Sequence, residues 1–401
     1  MVRQSTSLAL LAKLSAPLLA VLLALAVAVP DAPTAWGSDA TSVAATEGFK
    51  PAARGRRAAG HVLVAWSPLN LPRKTERVLD RIRRVRATTV LSSLGWMRSA
   101  RTRSERTLER VRGGYGIPID AAFVEPREYA SFVPKSERGA IRRLGRRKGL
   151  VSRTERKLRG GHGKLRMRIS GTPVRTFGAV PDGAAKAYEV LLRKPAPRSW
   201  GAPSRSFLIR KPKGVSQRRL RRAITRLVGR GHPLRIAGRR ETRWLRYGEV
   251  VTPLAFVKRA FGEFAARPSG GGALQIRPRW VKRNIRHRRV PILGNVTCHR
   301  RLFHQLRRAL GELRRKRLSH LVRRSEYAGC YNPRFIATSA GKRISRHTYG
   351  IALDINAASN PFGARPHQGK KLVRVMRKWG FNWGGRWPLP DGMHFEWRRF
   401  P

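Results

Sequence analysis

Two short stretches near the C-terminus decide how the last part of this chain folds: SRHTYGIALD (345–354) and DGMHFE (391–396). They supply two imidazoles and one carboxylate, those of His347, Asp354 and His394. Two nitrogen ligands and one oxygen ligand leave the fourth tetrahedral position of Zn²⁺ open, as a hydrolytic zinc requires. The two stretches together therefore predict a metal site built from separate segments of the chain.

The spacing of these residues indicates how the ligands converge. On one regular strand, His347 and Asp354 would point to opposite faces, because an odd number of residues separates them. We therefore expect a bend between them, and Gly350 is the residue at which a bend costs least. His394 must arrive from another strand, on which His394 and Glu396 project to the same side.

The surrounding pattern predicts a small α+β unit. Thr297 is a favourable N-cap for a helix, which is marked by leucines at helical spacing: Leu302, Leu306, Leu310 and Leu313. A second helix is predicted over 369–379 and ends before Gly380. Strands are predicted within 335–355 and over 393–397. We expect a small antiparallel sheet with helices on one side.

Three further histidines lie on or beside the first of these helices: His299, His304 and His320. None has a carboxylate or cysteine partner at metal-ligand spacing. We therefore expect surface or interface positions for them rather than a second metal site.

The chain is strongly basic, since 87 Lys and Arg residues against 22 Asp and Glu residues give a net charge of +65 over 401 residues. Such a surface concentrates near polyanions, whether nucleic acid, anionic lipid or anionic wall polymers. Most of the excess is arginine, which binds phosphate and carboxylate in a bidentate manner. Composition alone does not choose among these partners, and it implies no specific protein partner.

The N-terminus narrows that choice. An apolar run over 14–29 follows two basic residues and precedes small residues, which is typical of a secretory signal peptide within residues 1–40. The alternative is an uncleaved membrane anchor. Pro30 and Pro33 favour cleavage. We expect a secreted or wall-associated protein, or a membrane-anchored one if the segment is retained.

The chain has two cysteines, Cys298 and Cys330. An even count in an exported protein predicts one disulfide. It would join the start of the first helix to the segment before the first metal motif. The alternative is a pair of buried free thiols.

The middle of the chain is harder to interpret. Residues 41–85 have the composition of an exposed tether, although HVLVAWSPL (61–69) is compatible with a strand. Over 86–245, short apolar stretches alternate with basic ones, which predicts mixed α/β structure with basic helices such as 217–228. The alternative at this charge density is partial disorder. The function of this basic region is not apparent from sequence, and the metal-binding domain is expected over 250–401.

The C-terminal motifs resemble those of a known family. SxHxxGxAxD followed by DxMHFE is similar to the pattern of zinc D-alanyl-D-alanine carboxypeptidases and L-alanyl-D-glutamate endopeptidases of the VanY and VanX type, whose fold is shared with the Hedgehog signalling domain. The likeness extends through VPILGNVTCHRRL (290–302), YAGCYNPRFI (327–336) and WGFNWGGRW (379–387). It implies a Hedgehog/DD-peptidase-like fold, a zinc cofactor and peptidoglycan peptides as substrates.

The resemblance also implies a role for each site residue. His347, Asp354 and His394 correspond to the zinc ligands. Asp391, three residues before the last histidine, corresponds to the general base that takes a proton from the attacking water. Arg334 corresponds to the arginine that stabilises the oxyanion or holds a substrate carboxylate.

Supporting roles follow from the same comparison. Ser345 corresponds to a serine that supports the site by hydrogen bonding. Glu396 competes with the general base, but we expect it to orient a ligand imidazole instead. Arg343 and Arg346 lie closer to the first motif than Arg334 does and compete with it for the cationic role.

The leading functional hypothesis is a secreted zinc peptidase of the D-Ala-D-Ala carboxypeptidase type. The first alternative is an endopeptidase that cuts between L-alanine and D-glutamate. The second is a polyanion-binding protein, for wall polymer or nucleic acid, with a silent zinc domain; RRETRWLRYG (239–248) motivates it. A purely structural zinc domain is a further alternative, against which the acid at 391 argues.

Overall fold

The structure is a computed structural model that describes residues 61–238, 252–336 and 343–401, all within one compact unit. The predicted signal peptide, the first part of the predicted tether and the basic stretch 239–248 lie outside the described residues. None of the helices in the described ranges is long and apolar enough to cross a membrane.

The first part of the fold, residues 61–238, is organised around a ten-stranded sheet. Its strands are β1 (His61–Trp66), β2 (Arg86–Thr102), β3 (Thr107–Arg110), β4 (Ile117–Val124), β5 (Lys148–Ser152), β6 (Leu165–Ile169), β7 (Thr172–Val180), β8 (Val190–Arg193), β9 (Ser204–Lys211) and β10 (Arg235–Gly238). The helices between them are α1 (Thr75–Asp80), α2 (Pro126–Ala130), α3 (Lys135–Arg142), α4 (Arg153–Leu158) and α5 (Gln217–Val228).

Six of these strands close a barrel in the order β2-β4-β8-β5-β7-β6, and β6 pairs back onto β2. The pairs β4–β8 and β5–β7 are parallel, whereas the other pairs of the ring are antiparallel. The 17-residue β2 belongs to the ring and also pairs with β9, beyond which β1 and β10 extend the sheet.

Alternate residues of β4 fill the barrel interior, because successive side chains of a strand point to opposite faces. Ile119, Ala121 and Phe123 are fully buried there. Gly95 of β2 has no room for a side chain, since a Cβ atom would lie 2.4 Å from Ile169 Cγ2. The barrel is therefore a packed core rather than a channel.

Residues 61–85 correct the predicted tether. They form β1 and α1, and Val64 and Leu79 are fully buried. The apolar content of β1 outweighs the Ala, Gly and Pro composition around it, because both edges of β1 find partners in β9 and β10. The described part of the basic region is mixed α/β as predicted, and α5 confirms the helix predicted over 217–228.

The second part of the fold carries the two motifs. Its helices are α6 (Leu254–Phe261), α7 (Pro278–Asn284), α8 (Phe303–Arg315) and α9 (Lys370–Lys378). Its strands are β11 (Ala266–Pro268), β12 (Leu274–Ile276), β13 (Ile285–Val290), β14 (Gly294–His299), β15 (Ala352–Asp354), β16 (Phe381–Trp383) and β17 (His394–Trp397).

A small antiparallel sheet, ordered β15-β17-β16, confirms the predicted architecture. Helices α8 and α9 share one apolar core with this sheet, made of residues that include Leu306, Leu310, Leu372, Met376, Phe381 and Phe395. The predicted second helix and last strand match α9 and β17. The more detailed likeness to the Hedgehog fold stays a prediction.

Two expectations around α8 are wrong. Thr297 is not a helix cap but a residue of β14, which forms a hairpin with β13. The helix begins at Phe303 after a 3-10 turn, and the ring of His299 caps that turn by accepting a hydrogen bond from the N–H of Arg301. His299 itself is fully buried, with its ring centroid 4.8 Å from that of Phe261, so it is a core residue.

The predicted disulfide joins Cys298 of β14 to Cys330. Because Cys298 lies in a strand, the bridge connects a hairpin, rather than a helix start, to the segment that precedes the first metal motif. Both residues are buried within the same core as α8 and α9.

The two parts of the fold are joined by backbone pairing and by buried charges. Gly116 and Ala266 exchange two backbone hydrogen bonds of 2.8 and 2.9 Å. Nearby, Nζ of Lys258 lies 2.7 Å from Oε1 of Glu189 and 3.0 Å from Oε1 of Glu263. We call the set Glu155, Arg159, Glu189, Lys258 and Glu263 the buried ion network, since Arg159 in turn pairs with Glu155 and Glu263.

Candidate metal centre

Three local structures position the predicted ligands. His347 lies in the 3-10 turn Arg346–Tyr349, which Ser345 caps by accepting a hydrogen bond from the N–H of His347 at 3.3 Å. Gly350 ends this turn in the left-handed region, with φ 63° and ψ 37°, and supplies the predicted bend. The chain then enters β15, at whose end Asp354 faces His394 across the strand pair.

The three side chains converge on one point. Nε2 of His347 lies 3.2 Å from Oδ2 of Asp354, and Nδ1 of His394 lies 3.0 Å from Oδ1 of Asp354. The two ring nitrogens are 3.2 Å apart. Tetrahedral zinc with bonds of about 2.0–2.1 Å holds its ligand atoms roughly 3.3 Å apart. This group of ligand atoms therefore fits a metal ion of that size.

The other ring nitrogen of each histidine has its own partner. Nδ1 of His347 is 3.0 Å from the carbonyl oxygen of Cys330, to which it donates. Nε2 of His394 is 3.4 Å from Oε2 of Glu396. With protons held on these outer nitrogens, the inner nitrogens present lone pairs to a metal. Glu396 therefore lies where the sequence analysis placed an orienting residue.

The electrostatics of this group favour a bound cation. Burial raises the pKa of Asp354, but hydrogen bonds from His347 and His394 outweigh it and hold that pKa far below its ordinary value. For His394, burial lowers the pKa, yet hydrogen bonds to Asp354 and Glu396 raise it to about 10. In the metal-free protein the Asp354 carboxylate is thus ionised, and a proton on the His394 imidazole balances its charge. A bound metal ion takes the place of that proton.

Asp391 lies beside the ligands in the turn before β17, held by a hydrogen bond from its N–H to the carbonyl of Gly384 at 3.1 Å. Its Oδ1 is buried and has no hydrogen-bond partner among the described residues. Burial raises the pKa of this carboxyl, although the neighbouring His394 opposes that shift. An orphaned carboxylate oxygen next to a metal site is what a proton acceptor for water requires.

Of the three candidate arginines, Arg334 is the one that lies closest to this chemistry. Its backbone N–H donates to Oγ1 of Thr348 at 3.0 Å, and the Thr348 hydroxyl donates back to its carbonyl at 3.0 Å. Its half-buried side chain lines the cleft and makes no hydrogen bond or ion pair within the described ranges. Its charge opposes the rise that burial causes in the pKa of Asp391. Arg346 instead donates to the carbonyl of Thr252.

The ligands open into a cleft of about 260 Å³ between the two parts of the fold. One side is the metal site, where the rings of Trp387 and His394 are tilted by 51° with centroids 5.3 Å apart, and where Phe362 is 47% exposed at the rim. The other side comes from the barrel part, including Trp66 and Asp120. Sequence analysis missed these last two residues, and no local pattern around them signals a site.

A second acidic cluster, Glu155, Glu189 and Glu263, has the spacing of a metal site but a different role. Arg159 and Lys258 lie among these carboxylates at hydrogen-bond distance. Each acid of the cluster already pairs with a cation of the buried ion network, so this cluster is structural.

The comparisons with known proteins bear on the C-terminal part. Residues 338–397 match the sequence family described as D-alanyl-D-alanine carboxypeptidase, which confirms the resemblance drawn from the motifs. No curated protein matches the chain. The periplasmic region of MacB from Actinobacillus actinomycetemcomitans is similar over 44% of this chain and 88% of its own, with 10% identity and a TM-score of 0.29, too low to indicate a shared fold.

Proposed function

We propose that this protein is an exported zinc peptidase that removes the terminal D-alanine from peptidoglycan stem peptides. The observation that carries the proposal is the convergence of His347, Asp354 and His394 beside the orphaned carboxylate of Asp391. The family match over 338–397 supports the peptidase class. Export rests on the signal-peptide pattern at the N-terminus.

His347, Asp354 and His394 would hold the zinc ion, which when bound supplies a Lewis acid and lowers the pKa of water. Asp391 takes a proton from the attacking water at Oδ1 and returns it to the leaving amine. Burial favours this exchange, because it brings the pKa of the Asp391 carboxyl closer to neutrality. Arg334 donates hydrogen bonds to the developing oxyanion or to the substrate carboxylate.

Two alternatives use the same residues differently. An endopeptidase acting between L-alanine and D-glutamate needs the same ligands and base, and differs only in how the peptide lies in the cleft. A half-buried arginine beside the base, whose side chain has no hydrogen-bond or ion-pair partner among the described residues, favours the carboxypeptidase, because a terminal carboxylate suits a guanidinium fork. A silent zinc domain would leave the orphaned oxygen of Asp391 without a role.

The test is a digest of purified stem peptides by the zinc-loaded protein, analysed by mass spectrometry. Release of D-alanine by the wild type, with a loss of roughly 10²–10⁴-fold in Asp391→Asn at unchanged zinc content, is expected. Glu137→Gln, at a partly exposed acid in α3, is the matched control. An internal cut identifies the endopeptidase, and no product at full zinc occupancy rejects the peptidase.

We further propose that the basic surface retains the enzyme at anionic wall polymers. A hollow of about 900 Å³ on the barrel part is lined by four basic side chains, those of Arg103, Arg106, Arg156 and Lys164. None of the described residues that line it is acidic. Arg106 Nη2 donates to Nε2 of His162 at 2.7 Å, so the imidazole holds one guanidinium in place. Phosphate groups suit such a site, because guanidinium groups bind phosphate in a bidentate manner.

A further inference from the structure

The cleft at the metal centre has a second wall that belongs to the barrel part. Trp66 is the last residue of β1 and Pro68 lies just after that strand. Ser92 lies on β2, and Asp120 lies on β4. We call these four residues the barrel wall. The region whose role the sequence left open therefore borders the same space as the metal ligands.

The barrel wall is fixed relative to the metal site. The buried ion network bridges the two parts next to it, since Glu189 also accepts a 2.7 Å hydrogen bond from the N–H of Asp120. Trp96 of β2 packs edge-on against Phe335, with ring centroids 6.2 Å apart. A wall held in this way is preorganised, so contacts made with it cost little ordering on binding.

One contact crosses the cleft from wall to wall. Cζ of Arg343 lies over the ring of Trp66, 5.5 Å from its centroid, and both residues line the cleft. Trp66 is only 3% exposed and packs in the core of the barrel part, so it is a rigid support. Arg343 is thus a cation whose position the barrel determines.

Three arginines line the cleft, Arg334, Arg343 and Arg346, and their surroundings differ. Arg346 donates to the carbonyl of Thr252. Arg334 lies within electrostatic range of Asp391, at the bond to be cut, whereas Arg343 lies at the barrel wall. Asp120 is on the same wall, so a carboxylate would bind there only through directed hydrogen bonds from a guanidinium.

We infer that Trp66 and Arg343 form a subsite for a second carboxylate of the peptide substrate, away from the bond that is cleaved. The inference rests on the proposed function, and it makes residues 61–238 a specificity element of the peptidase rather than a separate module. Arg343 would contact the carboxylate, and Trp66 would be a positioning residue that acts through Arg343.

The experiment uses the zinc-loaded full-length protein and two stem peptides that differ only in one internal acidic residue, with a free carboxylate in one and a carboxamide in the other. The wild type is expected to prefer the carboxylate roughly tenfold, mainly through KM, as for a charge-assisted hydrogen bond. Arg343→Gln is expected to abolish the preference, because neither peptide can then form a charge-assisted hydrogen bond at this position. Arg343→Lys, which keeps the charge but not the planar fork, should recover only part of it.

Two controls separate this subsite from general effects. Arg386→Gln removes an exposed arginine that does not line the cleft and should leave the preference intact. Trp66→Phe keeps an aromatic face and should retain the preference, whereas Trp66→Leu should lose it. Equal preference in wild type and Arg343→Gln overturns the inference.

Binding is measured beside turnover, by calorimetry of both peptides on the zinc-loaded Asp391→Asn variant. A wild type that cleaves neither peptide, combined with a carboxylate preference in binding that disappears in Asp391→Asn/Arg343→Gln, rejects the proposed function and keeps the subsite. Cleavage of both peptides with no difference in rate or binding rejects the subsite and keeps the proposed function.

Discussion

Asp354 and His394 are direct partners across the antiparallel pair β15–β17, and their Oδ1 and Nδ1 atoms lie 3.0 Å apart. The candidate metal centre is thus built into the register of a sheet. Backbone pairing places two of its three predicted ligands, which makes the site rigid on that side.

Removal of the outer partner of His394 should weaken metal binding without removing a ligand. We expect Glu396→Gln to reduce zinc affinity roughly 10–100-fold, because the imidazole loses the carboxylate that orients it. Asp354→Asn, which changes a ligand, should reduce it further. Competition with a chromophoric chelator measures both, and an unchanged affinity in Glu396→Gln would show that its 3.4 Å contact with Nε2 does not orient the ring.

A side chain at position 384 should displace Asp391, the proposed general base. A Cβ atom on Gly384 would lie 2.7 Å from the carbonyl oxygen of Asp391 and 3.3 Å from Cβ of His394. We expect Gly384→Ala to lower kcat/KM roughly 10²-fold, as misplacement of a catalytic group by about 1 Å does. Gly139→Ala, where a Cβ meets nothing within 4 Å, is the control. Full activity in Gly384→Ala would contradict the role of Asp391.

Removing one charged partner from the buried ion network should lower the free energy of unfolding substantially. Lys258→Met leaves Glu189 and Glu263 buried without their shared cation, which we expect to cost about 3–5 kcal/mol of unfolding free energy in urea titrations. Lys378→Met removes a cation that is 61% exposed and should cost less than about 1 kcal/mol. The double variant Lys258→Met/Glu189→Gln should recover part of the loss, and equal effects of the two single variants would argue against the network.

His299 should make stability depend on pH. Burial lowers the pKa of its imidazole to about 4 from an ordinary value of 6.5. Between these values the unfolded chain binds a proton that the folded chain does not, so stability falls as pH decreases from about 6.5 to 4. We expect a loss of roughly 2–3 kcal/mol over that range. His299→Gln should flatten this part of the profile, and an unchanged profile would assign the effect to other groups.

The basic side chains of the hollow should contribute more to polyanion retention than an equal number of basic side chains elsewhere on the surface. We expect Arg103→Gln/Arg106→Gln/Lys164→Gln to elute from immobilised teichoic polymer at lower salt than the wild type, because each phosphate contact adds to the salt dependence. The matched control, Arg218→Gln/Arg219→Gln/Arg222→Gln on α5, removes the same charge from an exposed helix. Equal elution of the two triple variants would indicate retention by net charge, and stronger retention on DNA than on teichoic polymer would point to nucleic acid.

Sequence was most informative where structure depends on local pattern. The apolar face of α9, the odd separation of His347 and Asp354, and Gly350 each carry their meaning within a few residues, and the structure agrees with all three. The predicted helix cap at Thr297 was wrong because threonine, a favourable cap residue, also suits a strand. Pairing with β13 decided between the two structures.

The barrel could not be predicted in the same way. Its closure depends on β2 pairing with both β4 and β6, and nothing in the individual strands encodes which partner each edge finds. The barrel wall of the cleft depends on these pairings and on those of β9 with β2 and β1. Trp66 therefore has no local signature as a site residue, although it lies opposite the metal ligands.

The position of β1 between β9 and β10 also sets the order in which the molecule is completed. Synthesis starts at the N-terminus, so β1 is complete well before its partners β9 and β10 are made. Pairing between strands so far apart in sequence is slow. Trp66 at the end of β1 and Arg343 in the second part meet later still. A chain whose synthesis is incomplete thus has no complete cleft, and the cleft forms only when folding ends.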